Sequence, residues 1–156
     1  MNKKGFTLVE LLAVIVILAI IALITAPAIL NVINDAREKG SQDKAWGTID
    51  AVRMAFTQEQ GSMDGIVNGT SGYYTVCFKE GSTIATGTTA SQQGKCNAVK
   101  KVGNTNVRMS GEVPTDGYVD INLGDGSITC TNLKFSANGN YKCTTADGNT
   151  MTCTPY

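Results

Sequence analysis

Histidine is absent from the 156 residues. Its absence removes the commonest general base, the Ser-His and Cys-His nucleophile pairs, and every His-ligated metal site. With no other recognisable nucleophile motif, the chain is not expected to be an enzyme, and no metal or cofactor is expected. Net charge is missing as well. Thirteen basic and 13 acidic residues cancel, so the broad basic footprint of a nucleic-acid binder is lacking and nucleic acid is not implied as a partner. Residues 11–30 contain no charge of either sign. No apolar h-region or Ala-x-Ala site precedes that run, which sets the N-terminus apart from an ordinary secretory signal.

What is present begins with the uncharged run. At about 1.5 Å per helical residue it extends about 30 Å, the thickness of a bilayer's hydrocarbon core. Glu10 stands at its edge. A carboxylate inside a membrane helix costs on the order of 2.5 to 3.5 kcal/mol, so Glu10 is expected to have a partner or a task. Lys3 and Lys4 lie before the run; by the positive-inside rule the first residues stay in the cytoplasm and the chain beyond residue 30 faces outward. Subtracting the run leaves about 120 residues, enough for one small domain.

Lys3, Lys4 and Gly5, then Phe6, then Glu10 as the fifth residue counted from Phe6, with Pro27 further along, resemble the N-terminus of a type IV pilin precursor. The likeness is close over this segment and holds only in plan beyond it. It implies that prepilin peptidase cuts between Gly5 and Phe6, removing leader 1–5, and that Phe6 becomes N-methylated. Glu10 would then pair with the new amino group of a neighbouring subunit, two charges that an oily filament core would otherwise leave uncompensated. An uncleaved signal anchor also accounts for the basic start and the apolar run, but gives no reason for Glu10 or for Gly5-Phe6.

The resemblance further implies an α+β pilin fold. A long helix has a transmembrane and assembly half (6–34) and an amphipathic half (35–60), and the second half packs on a small antiparallel β head (61–156). The implied function is that of a type IV pilus subunit, a homo-oligomer polymerised by the pilus assembly machinery into filaments for adhesion and motility. It would sit in the cytoplasmic membrane as a single-pass protein with its head outside, then in an extracellular pilus. The alternatives are a pseudopilin of a type II secretion or DNA-uptake (competence) machine and, from a different class, a monomeric membrane-tethered binding domain.

Downstream residues carry their own signals. Ala45, Ile49, Val52 and Phe56 recur at helical spacing, with Asp50 and Arg53 off that stripe, so this half of the helix should bury one face. Pro27 should kink or locally melt the helix, while Gly40 and Gly47 weaken its later part; in pilin filaments the segment around such a proline is associated with stretching. Gly61-Ser62 is the expected stop. Residues 73–78 and 118–123 read as strands. The turn Gly124-Asp125-Gly126 and the stretch Ala137-Asn138-Gly139-Asn140 then make a three-strand meander through residues 127–135 and 141–143. Residues 81–94, rich in Ser, Thr, Gly and Gln, are expected to be a surface loop, a connector rather than an adhesive element. The stretch Ser110-Gly111-Glu112-Val113-Pro114, followed by Gly117-Tyr118, resembles one found before the sheet in pilins of Gram-positive bacteria.

Five cysteines, Cys77, Cys96, Cys130, Cys143 and Cys153, all lie outside the apolar run, as fits an exported domain that oxidises. Two bridges and one odd thiol leave five choices of odd thiol with three connectivities for each. A three-residue loop centred on Gly148 would set Cys143 opposite Cys153, which favours that bridge; Cys77 and Cys96 form a further candidate pair. Asp116, Asp120, Asp125 and Asn122 invite a calcium reading. Counting from Asp120, however, puts Thr131 where an EF-hand needs its bidentate Glu, so turn chemistry explains them better. Asn68-Gly69-Thr70 matches the glycosylation sequon, too short a pattern to carry weight.

Overall fold

The computed structural model describes residues 5–60, 72–80, 82–89, 96, 100–101, 107–137 and 139–156. Two compact units emerge, residues 1–36 and residues 37–156. The first is helical and apolar. Its large side chains, from Leu8 through Val32, are all solvent-exposed.

The second unit is a helix-on-sheet head, giving the chain an α+β, pilin-like layout. The helix α1 (Leu8–Gln60) enters it with one buried face. Ala45, Ile49, Val52 and Phe56 are at most 1% exposed, as their spacing requires. Thr48 and Ser41 are buried beside them, and each hydroxyl donates to the carbonyl four residues back, Lys44 at 2.9 Å and Arg37 at 2.9 Å. That bond removes the penalty of burying an unpaired hydroxyl.

The helix covers a seven-stranded antiparallel sheet. Its strands are β1 (Tyr73–Lys79), β2 (Ser82–Thr89), β3 (Lys100–Lys101), β4 (Asp116–Asn122), β5 (Ile128–Phe135), β6 (Tyr141–Thr145) and β7 (Thr152–Pro155). They lie in the order β3-β2-β1-β4-β5-β6-β7, so the expected meander forms one side and the β1–β2–β3 hairpins the other. Alternation decides which side chains go in. Tyr74 and Val76 of β1, Val119 and Ile121 of β4, and Ile128 and Cys130 of β5 face the helix and are buried. Phe56 meets Tyr74 edge to face, with ring centroids 5.0 Å apart, fastening helix to sheet at its centre.

One expectation fails here. Residues 82–89 do not belong to a loop: they form β2 and pair along their length with β1. Low apolar content hides the strand. Thr83, Ile84, Thr86, Thr88 and Thr89 are β-branched and suit a pleated strand whether or not a face is apolar.

Glu112, on the segment leading into β4, ties three pieces of the head together. Its Oε2 accepts from Lys44 Nζ of α1 at 2.5 Å. Its Oε1 accepts the Ser136 and Ala137 backbone N–H groups, each at 2.8 Å, at the end of β5. Burial works to raise the Glu112 pKa. The hydrogen bonds from Lys44, Ala137 and Ser136 outweigh it and leave the carboxyl below its ordinary value. Gly117 performs a steric task nearby. At φ +100°, a Cβ there would sit 2.4 Å from the Asn132 carbonyl oxygen, so β4 and β5 can approach this closely only with glycine.

Candidate functional site

The N-terminal site is built by helix capping. Gly5, Phe6 and Thr7 are non-helical, so the Gly5–Phe6 peptide bond lies ahead of the helix; Phe6 is 84% exposed. Thr7 is the N-cap. Its carbonyl accepts the first helical bond, from the Leu11 amide at 3.3 Å, and its Oγ1 accepts the Glu10 N–H at 3.3 Å. In return, Glu10 Oε2 accepts the Thr7 N–H at 2.8 Å and the Thr7 hydroxyl at 2.7 Å. The result is a reciprocal capping box, with the carboxylate in the first turn, where negative charge complements the helix dipole.

This geometry answers half of the question raised by Glu10. Part of its hydrogen-bonding need is met within its own chain, and the cap holds it in a fixed orientation. A carboxylate offers about four lone-pair positions, so the two bonds from Thr7 leave capacity for another donor. Thr7 is not among the residues singled out by the sequence reading, although the Thr-x-x-Glu spacing is the signal that identifies it.

Beyond the cap, α1 is long and apolar enough to cross a membrane. Leu8, Leu23 and Ile24 are 80%, 78% and 69% exposed, part of a contiguous apolar surface of the kind that calls for lipid or protein cover. Pro27 lies inside α1, where it removes the amide that would bond to the Leu23 carbonyl. Lys3, Lys4, Gly61-Ser62 and the Asn68 sequon lie outside the described residues, as do residues 81 and 90–94.

The head's candidate residues have other employment. Cys143 and Cys153 stand in register across β6 and β7 and form a disulfide, and a second disulfide joins Cys77 to Cys96. The β6–β7 connection is wider than a three-residue loop. Asp147 organises it by accepting the Asn149 and Thr150 N–H groups at 3.0 and 2.8 Å, bonds that hold its carboxyl well below the usual range. Cys130 is a free, buried thiol whose pKa burial pushes up to about 11.

Asp116 pairs with Lys134 at 2.8 Å. Asp125 caps the Ser127 N–H, Asn122 Oδ1 accepts from Gly124, and Asp120 accepts from Thr75. Among the described residues no group of three or more acidic, Cys or His side chains is placed to hold a metal.

Residues 1–26 match the family described as prokaryotic N-terminal methylation motif. A ComG operon protein 3 homolog from Bacillus licheniformis is 37% identical over 65 residues. The match covers 42% of this chain and 63% of the relative, so less than two thirds of that protein's length is spanned. No solved structure matches the chain. Capped at Thr7 and Glu10 and headed by Gly5-Phe6, the N-terminus of this chain carries a prepilin-type methylation motif.

Proposed function

We propose that this chain is a structural filament subunit, cut between Gly5 and Phe6, methylated on the new Phe6 amine, and polymerised as a type IV pilus. The observation that carries the proposal is the bare apolar surface of α1 headed by the methylation motif. In the bilayer, lipid tails cover that surface. Helix-to-helix packing in a filament replaces them, and because lipid is as apolar as Leu, the replacement itself supplies little net hydrophobic gain. Specific contacts must therefore drive assembly.

Glu10 is suited to supply one. Cleavage places an ammonium group at the positive end of the helix dipole, an unfavourable position within the subunit's own helix. A neighbour's Glu10 carboxylate, already oriented by Thr7, neutralises it. Loss of one partner would leave the other charged in an apolar core, at about 3 to 5 kcal/mol per site. Helix opening at Pro27 would let the fibre lengthen under load.

A second reading is favoured by the ComG operon relative: a pseudopilin forming a short fibre within a secretion or DNA-uptake machine. Both readings share the cleavage and the role of Glu10. They differ in abundance and length.

Mechanical shearing of cells without detergent, followed by mass spectrometry and electron microscopy of the released material, tests the proposal. A peptide beginning at methylated Phe6 from long fibres supports the pilus; short, scarce fibres with the same terminus support the pseudopilin. Retention of residues 1–5 in normal fibres refutes both. Glu10→Ala should leave membrane insertion intact and abolish fibres, whereas normal fibre yield removes Glu10 from the mechanism. A chain that stays with the cells as a monomer would be a tethered domain.

A further inference from the structure

The sheet has a second face, and its chemistry differs from that of the first. Thr75, Asp120 and Thr129 stand in register on neighbouring strands, alternating with the core residues that face α1, and so share the opposite side. There an open groove of about 470 Å³ runs across β4, β5 and β6. Tyr73, Asp120, Asn122, Thr129, Thr131 and Thr144 line it, and among the described residues no Lys or Arg does.

This lining excludes most ligand classes. An anion would meet a carboxylate and no cation. A lipid or apolar peptide would find hydroxyls where it needs hydrocarbon. A hard divalent cation wants six or more oxygens, usually from several carboxylates; among the described residues the groove has one, and Thr75 already donates to it at 2.5 Å. Neutral polyhydroxyl compounds remain. Their recognition uses a buried carboxylate as a strong acceptor, side-chain hydroxyls and amides as donors, and an aromatic ring against the apolar faces of the sugar.

All three are in place. Asp120 is 4% exposed and oriented by Thr75. Thr129 and Thr131 point to the same side of β5, about 7 Å apart, and among the described residues their hydroxyls have no hydrogen-bond partner. Thr144 Oγ1 and Asn122 Oδ1 are pinned as acceptors for the Asn132 and Gly124 amides, which leaves the Thr144 hydroxyl hydrogen and the Asn122 amide hydrogens for a ligand. Tyr73 closes one end. Because these groups sit on paired strands, little ordering entropy is lost on binding.

We infer that this groove binds neutral carbohydrate, with Asp120, Thr129 and Thr131 as its central contacts. The site stands independently of filament assembly, because every residue in it belongs to one head.

The test uses full-length ¹⁵N-labelled chain in dodecylphosphocholine micelles, a detergent without sugar groups. Cellotriose, maltotriose and triacetylchitotriose serve as neutral probes, and 3′-sialyllactose as the acidic counterpart. At least one neutral probe should shift the Tyr73, Thr129 and Thr131 amide signals saturably. Sialyllactose should not, because Asp120 repels its carboxylate. The double variant Thr129→Val and Thr131→Val keeps β-branching and shape, and should weaken binding by roughly tenfold, the worth of two neutral hydrogen bonds. If that variant does not give a folded spectrum, Asn122→Ala should show the same loss. The inference is overturned if no neutral probe shifts these signals at millimolar concentration, if a folded variant binds as well as the parent, or if sialyllactose binds as tightly as the neutral sugars.

Discussion

Removing the Glu112 carboxylate should loosen the head by breaking the tie between α1 and the sheet. One oxygen accepts two backbone amides at 2.8 Å and the other takes Lys44 of α1 at 2.5 Å, with only 18% of the Glu112 side chain exposed. Each hydrogen bond to a charged group contributes about 1.5 to 3 kcal/mol, but the partners form one network and their losses do not add. Loss of the bonds to the Ser136 and Ala137 amides and of the Lys44 pairing leads us to expect about 3 kcal/mol for Glu112→Ala. For a head of 120 residues, that lowers Tm by about 12 °C. Glu112→Gln retains an acceptor and should lose roughly half as much, and Lys44→Met about 1 kcal/mol.

The pH dependence has a definite sign. The folded pKa of Glu112 lies below its ordinary value. Its contribution is therefore complete above the unfolded value and is lost as pH falls through the folded value. Thermal unfolding by circular dichroism, disulfides intact, should show an acid drop in the parent that is shallower in Glu112→Gln. A Glu112→Ala chain melting within about 4 °C of the parent, equivalent to about 1 kcal/mol, would refute the account of Glu112 as the tie between helix and sheet.

Gly117→Ala forces a Cβ onto the Asn132 carbonyl at positive φ, and should cost more than about 2 kcal/mol in urea denaturation. Gly47→Ala should do the reverse. The site is exposed, helical and open around its Cβ, so a gain of about 0.5 to 1 kcal/mol is expected by the same measurement. Replacing Cys143 and Cys153 by Ser opens a bridge spanning 10 residues and should cost about 2.5 kcal/mol; unchanged stability would mean that the bridge does not constrain the unfolded chain. With its pKa pushed to about 11, Cys130 should resist iodoacetamide at pH 8 in the folded head and react once it is denatured. Labelling of the native protein at a free-thiol rate would contradict its burial.

Sequence and structure decided different things here. Local features were legible in one dimension: the uncharged run, the Gly5-Phe6 and Glu10 spacing, the helical stripe from Ala45 to Phe56, and the alternation that makes β4, β5 and β6 a meander. Each repeats or is spaced within a few residues, at the period of the element that it forms. The Thr7 cap was equally local and could have been read from the same six residues.

What only the tertiary structure decided joins residues far apart in the chain. Glu112 meets partners 24, 25 and 68 positions away, and no periodicity marks such a meeting. The β2 strand is recognisable through its pairing with β1 rather than through its own apolar content. Gly117 matters because another strand passes 15 residues later at Asn132. Among the possible cysteine pairings, Cys143 with Cys153 follows from register across β6 and β7, which chain order alone does not specify. Side-chain pattern dictates the elements; the close approach of backbones, fixed by all the packing at once, dictates which groups meet.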